Sequence, residues 1–250
     1  MSGLFYNLGR RIGQAAVPVI RQSKWIWDGL TGNEEEALRA ESAMGTALAG
    51  ELRTAGEPVK DPEVSQQVND LCRRLAAGVR GPRRAFHGEV IRADFPNAIA
   101  LPGGFIFVSQ TLVNLCERRP DELAFVIGHE MAHVIRGHAW DRMINQTALR
   151  AASVVAPRAG PLGVWLQQKG MQLLRNAHDR KCEGEADELG LRLAAAAGFN
   201  PAGAIALLQR VEGLGPDPAA IGQYFSSHPS APDRIARLEP LCRQLASRQP

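Results

Sequence analysis

His129-Glu130-Met131-Ala132-His133 is the stretch of this chain whose residue types and spacing are best suited to chemistry. Residues four apart on an α-helix sit about 40° apart around the axis, so both imidazoles face one side and can bind one metal ion. Glu130 lies about 100° from His129 and about 60° from His133, at the border of that face, where its carboxylate can take a proton from a water that the metal polarises. The pattern implies a zinc hydrolase site rather than a buried helix with two incidental histidines.

The surrounding elements must form that helix and supply a third ligand, because catalytic zinc takes three protein ligands and keeps one position open. Pro120-Asp121-Glu122 gives a rigid start and an acidic first turn, and Gly137 can end the helix. Leu123, Val126, Ile127, Ala132, Val134 and Ile135 give it apolar faces. His138 lies about 140° around the axis from His133 and faces away from the metal unless the helix breaks at Gly137, so it is a poor third ligand. Arg136 and Ala139 stand where a metzincin needs Gly and His, which excludes that class.

A second helix, opening at Asp179 and running to Ala197 before Gly198, carries a better candidate. Cys182, Ala186, Leu189 and Leu193 form its apolar stripe, while Glu185, Glu188 and Arg192 lie to one side as a solvated face with Glu188 spaced to pair with Arg192. Glu183, Asp187, Gly190 and Ala194 occupy the other border, where small residues let another helix approach closely. Glu183 would complete a two-histidine, one-glutamate site and Asp187 would orient a ligand imidazole from behind, with Glu185 as the competing ligand.

The zinc motif followed downstream by Arg180-x-x-Glu183-x-x-Ala186-Asp187 resembles zinc metallopeptidase family forty-eight. Asn97-Ala98-x-Ala100-Leu101-Pro102-Gly103-Gly104-Phe105-Ile106-Phe107-Val108 is similar to the segment which that family places before its zinc helix. Ser227-His228-Pro229-Ser230, with Arg234 and Ile235 following, resembles its late His-Pro signature. Order and spacing are most like the soluble bacterial relatives of the family's mitochondrial overlapping-activity enzyme. Asp179 replaces the Ser that often precedes the Arg, and it also suits a helix N-cap.

The resemblance implies a zincin fold of the gluzincin type, one Zn²⁺ held by His129, His133 and Glu183, and Glu130 as base in an endopeptidase of protein quality control. Unfolded or extended proteins would be its substrates. Gly104, Phe105, Ile106, Phe107 and Val108 are expected to form either an exposed edge strand that pairs with substrate main chain or simply a strand of the core sheet. His228 is the first candidate to face the developing oxyanion, or to bind zinc at rest and gate the site; Arg234 is second, and Arg180 is a further candidate. A catalytically restrained metal-binding or chaperone-like protein of the same fold is the alternative, and the intact Glu130 argues against it.

Composition agrees with an ordinary enzyme: 250 residues, 45% hydrophobic and 22% charged, are enough for one large core. Helical periodicity covers Glu34 to Leu52, Pro62 to Val79 behind an Asp61 cap, Pro201 to Val211 behind Asn200, and Pro232 to Leu245. Gly88 to Ala93, Ala98 to Leu101 and Phe105 to Ser109 suit a small sheet with Gly103-Gly104 as a turn, making the fold α+β and helix-dominated. The scattered Cys72, Cys116, Cys182 and Cys242 read as reduced, buried thiols.

The net charge of +3 reflects Arg10, Arg11, Arg21 and Lys24 near the start and gives no nucleic-acid footprint. Residues 1–30 read as a basic, amphipathic N-terminal segment and 31–250 as a single metallopeptidase catalytic domain. The first segment would suit a peripheral membrane contact, although packing against the catalytic domain is the preferred reading. No apolar run reaches the roughly 18 residues that span a bilayer, and Thr147 to Leu166 reads as a helical hairpin. Without a convincing signal peptide the chain is expected in the cytoplasm, and a periplasmic location would require an upstream leader.

Overall fold

The core is assembled around the helix that carries the pentapeptide. The computed structural model describes residues 34–55, 59–79, 85–138, 180–214 and 230–248. In chain order these form α1 (Glu34–Ala55), α2 (Pro62–Ala76), β1 (His87–Ile91), β2 (Ala98–Leu101), a 3-10 turn (Pro102–Gly104), β3 (Phe105–Ser109), α3 (Gln110–Leu115), α4 (Pro120–Ile135), α5 (Arg180–Ala196), α6 (Ala202–Gly213) and α7 (Ala231–Ala246). The α+β, helix-dominated expectation holds. The proposed hairpin between Thr147 and Leu166 and the N-terminal segment lie outside the described residues.

Local chemistry explains the boundaries. The Asp61 carboxylate accepts from Val64 N at 3.1 Å and caps α2, whose Val64, Val68, Leu71, Cys72 and Leu75 repeat at helical spacing and are all buried. Asn200 similarly accepts from Ala202 N at 2.9 Å ahead of α6. Ser109, the last residue of β3, caps α3 through Leu112 N at 3.1 Å, so strand passes directly into helix. That short helix carried no sequence signal of its own beyond the cap.

The sheet is three-stranded in the order β1-β3-β2. β1 pairs parallel with β3, His87 opposite Phe105, and β2 pairs antiparallel with β3, Ala98 opposite Val108. The β2–β3 connection turns through Gly103 and Gly104 at φ of 77° and 92°. This arrangement rules out the edge-strand reading in favour of the core-sheet one: β3 is the central strand. Its main-chain groups are committed on both sides, and Ile106, Phe107 and Val108 are buried in the core, so Gly104 to Val108 offers no free edge to a substrate. Apolar alternation alone does not say which strand of a sheet lies outside.

α4 is covered by α2, α5, α6 and the sheet, and every residue from Glu122 to Val134 is buried. Its acidic first turn is tied down: Glu122 accepts from Arg210 of α6 at 3.2 Å. Cys72, Cys116 and Cys242 are buried free thiols, as expected, with burial pushing Cys72 up to about 12 and Cys242 up to about 11, whereas the free Cys182 is only partly buried. Among the described residues no helix is long and apolar enough to cross a membrane.

α5 crosses α4 where Gly128 faces Gly190. A Cβ on Gly190 would lie 2.6 Å from His129 N and 2.8 Å from Gly128 C, and one on Gly128 would lie 2.7 Å from Gly190 O. These are backbone atoms that no rotamer change can clear. Gly190→Ala is therefore expected to force the helices apart, costing about 1–3 kcal/mol. Because Glu183 rides on α5, metal retention should fall as well; urea denaturation and metal content of the purified variant measure both effects.

Candidate metal centre

α4 presents His129 and His133 one turn apart on its α5-facing side, and the close glycine crossing lets Glu183 of α5 reach them. Glu183 Oε2 is 3.5 Å from His129 Nε2, Glu183 Oε1 is 3.4 Å from His133 Nε2, and the two Nε2 atoms are 3.1 Å apart. One donor atom from each of these residues lies within 4.8 Å of the others, and all three residues are buried. Two imidazole nitrogens converging on each other and on a carboxylate is a poor arrangement unless a cation sits among them. Two nitrogens and one oxygen are also the donor set of catalytic zinc sites that keep a position open.

The nitrogens facing away from this cluster are occupied as well. His129 Nδ1 donates to Asp187 Oδ1 at 2.9 Å, which leaves Nε2 as the atom aimed at the cluster. Asp187 in turn accepts from Arg234 Nε at 2.9 Å and Nη2 at 2.5 Å, while Arg237 Nη2 lies 3.6 Å away. Burial disfavours the charged carboxylate, but the Arg234 and His129 interactions outweigh it and hold Asp187 well below the usual carboxylate range. Burial likewise opposes charge on His129, yet the hydrogen bond and charge of Asp187, with Glu183, hold its imidazole above the ordinary value against the opposing Arg234. The field at the cluster thus favours a positive charge there.

Glu130 is only 4% exposed and lies on α4 between the two histidines. Glu185, the competing ligand from the sequence, stands outside the donor group: its side chain is 40% exposed, 3.7 Å from His138 and 3.9 Å from Lys181. The solvated face of α5 is as expected, with Arg192 Nη2 donating to Glu188 at 2.7 Å.

Arg234 is placed differently from its oxyanion assignment. It is 1% exposed and its guanidinium is engaged with Asp187, behind His129 rather than over the donor cluster. The sequence placed it beside a His-Pro turn, but the geometry of α7 against α5 decides where it points. His228 and the side chain of Arg180 lie outside the described residues.

An unbroken helix would turn His138 away from the metal. The helix does break: α4 ends at Ile135 and Gly137 takes φ of 68°. The chain folds back and brings His138 Nδ1 to 3.0 Å from His133 Nδ1. His138 is not in the donor group but directly behind it, where the break at Gly137 puts it.

A family model described as Peptidase family M48 matches residues 58–241. The chain is 33% identical over 155 residues to the mitochondrial metalloendopeptidase OMA1 of Schizosaccharomyces pombe, covering 60% of this chain and 45% of that protein. It is 24% identical over 240 residues to the Beta-barrel assembly-enhancing protease of Escherichia coli K12, covering 90% of this chain and 48% of that protein. Human mitochondrial metalloendopeptidase OMA1 matches at 29% over 187 residues, covering 69% of this chain and 35% of its own length. The chain therefore spans less than half of each of these relatives.

Proposed function

The chain belongs to peptidase family M48, a metallopeptidase family, and on that footing we propose that it is a zinc-dependent endopeptidase acting on unfolded or extended polypeptides. The observation that carries the proposal is the buried convergence of His129, His133 and Glu183, with Glu130 alongside. These three residues would hold the metal. Bound there, zinc would supply Lewis acidity toward a scissile carbonyl and lower the pKa of a water.

Glu130 would serve as base toward the attacking water and pass the proton on to the leaving amine, a role that suits a carboxylate held in a nearly dry site beside the metal ligands. Asp187 fixes the His129 ring and Arg234 keeps Asp187 ionised, so the ligand field is set before substrate arrives. Substrate main chain pairs with β2 rather than β3. β2 packs against α4, its inner edge is taken by β3, and among the described residues no strand pairs with its outer edge. Backbone pairing along Ala98 to Leu101 would hold an extended peptide with little side-chain selectivity, in keeping with a role in protein quality control.

Purified protein incubated with unfolded casein should release peptides, and a chelator should stop the release until zinc is restored. Metal-loaded protein that leaves casein intact would sink the peptidase reading and favour a restrained, metal-binding member of the fold. For the ligands, Glu183→Ala should lose metal and activity while Glu185→Ala keeps both. Inductively coupled plasma measurement on the two variants decides, and the reverse result would exchange their roles.

A further inference from the structure

We propose that His138 is a positioning residue for the metal centre: it holds the His133 imidazole in the tautomer and orientation that present Nε2 to the metal. The inference rests on the reading of His129, His133 and Glu183 as metal ligands.

Proton placement carries the argument. His133 Nε2 is the atom aimed at the cluster, 3.4 Å from Glu183 Oε1 and 3.1 Å from His129 Nε2, while Nδ1 faces His138 Nδ1 at 3.0 Å. A metal-binding nitrogen carries no proton, so a neutral His133 keeps its proton on Nδ1. That N–H donates, and His138 Nδ1 must accept. The proton of a neutral His138 then belongs on Nε2, the atom that lies 3.7 Å from Glu185 Oε2. Each ring is left in one tautomer, with an anion near the outer end of the chain.

The two ligand imidazoles are therefore held by different means. Asp187 places a buried negative charge behind His129, whereas His133 has an uncharged acceptor, supplied from beyond the break at Gly137. The His138 ring meets His133 edge to face, at 70° with centroids 5.1 Å apart, and its side chain is 9% exposed. This geometry restrains ring rotation as well as protonation.

Zinc affinity of the full chain, measured by competition with a chromophoric chelator, tests the role. His138→Ala should raise the zinc dissociation constant about tenfold. His138→Asn, whose Oδ1 can take the place of Nδ1 as acceptor, should recover most of that loss. In ¹⁵N-labelled, zinc-loaded protein the His133 Nδ1–H resonance should be protected from solvent exchange in wild type and His138→Asn, and lost in His138→Ala. Wild-type affinity in His138→Ala, or an Asn variant no better than Ala, would overturn the proposal. His129→Ala run alongside separates the two readings: if it also binds zinc like wild type, the ligand assignment fails first. If it loses zinc while His138→Ala does not, the role of His138 alone fails.

Discussion

Glu130→Gln will leave the protein folded and metal-loaded while lowering casein cleavage by about 10²–10⁴-fold, the range expected for removing a general base. Gln keeps the size of Glu and its side-chain oxygen, so the packing of a residue only 4% exposed is preserved. It cannot accept the proton of the attacking water at neutral pH. The metal ligands His129, His133 and Glu183 are untouched, so metal content should equal that of wild type. Peptide release and metal stoichiometry, taken on one preparation, make the comparison. A variant that cleaves within about tenfold of wild type would place the base elsewhere.

The second large effect is structural. Arg234→Ala removes the guanidinium that makes two hydrogen bonds to Asp187, both residues being 1% exposed. Breaking a buried ion pair by deleting one partner typically costs about 3–5 kcal/mol, because the remaining charge is left without its partner. Here the lower end is expected, since His129 still donates to Asp187 and Arg237 lies 3.6 Å away. Thermal or urea unfolding will show the loss.

The sign of its pH dependence follows from Asp187. Its folded pKa is depressed, so its contribution is present above the ordinary carboxylate range and is lost as pH falls through that range towards the folded value. The stability gap between wild type and Arg234→Ala should therefore narrow on acidification. A gap that widens in acid would refute the account. Replacing both partners, Asp187→Leu with Arg234→Met, should restore much of the stability by removing both buried charges. It should still weaken metal binding about tenfold, because His129 loses the acceptor that orients it. Stability and metal affinity then come apart, which a purely structural role for the pair would not produce.

The pentapeptide helix, the α5 helix and the three strands were legible because their signals are local. Periodicity, caps and turn residues act within a few positions, and Asp61, Asn200 and Gly103-Gly104 do what their residue types dictate. Glu183 and Asp187 could be singled out for the same reason: helical spacing put them on the border with Gly190, and the crossing at Gly128 uses that border.

What went astray involved partners distant in sequence or a break in regular geometry. Phe105 to Val108 has the apolar character of either an edge or a centre strand, and only pairing on both sides makes it central. Arg234 was read from its neighbours in the chain, whereas its position is set by α7 packing on α5, 47 residues away from Asp187 in sequence. His138 stands outside the ligand group as expected, and only the break at Gly137 decides that it turns back behind His133.

The sequence by itself determined that two imidazoles and a carboxylate occupy adjoining faces of one helix, because a fixed 3.6-residue turn leaves them no other arrangement. Tertiary structure decided what stands behind each imidazole, which strand is left with an open edge, and how closely Glu183 approaches. The first two follow from helix packing, the break at Gly137 and strand pairing; the last depends on how far two helices can close, and two facing glycines set that distance.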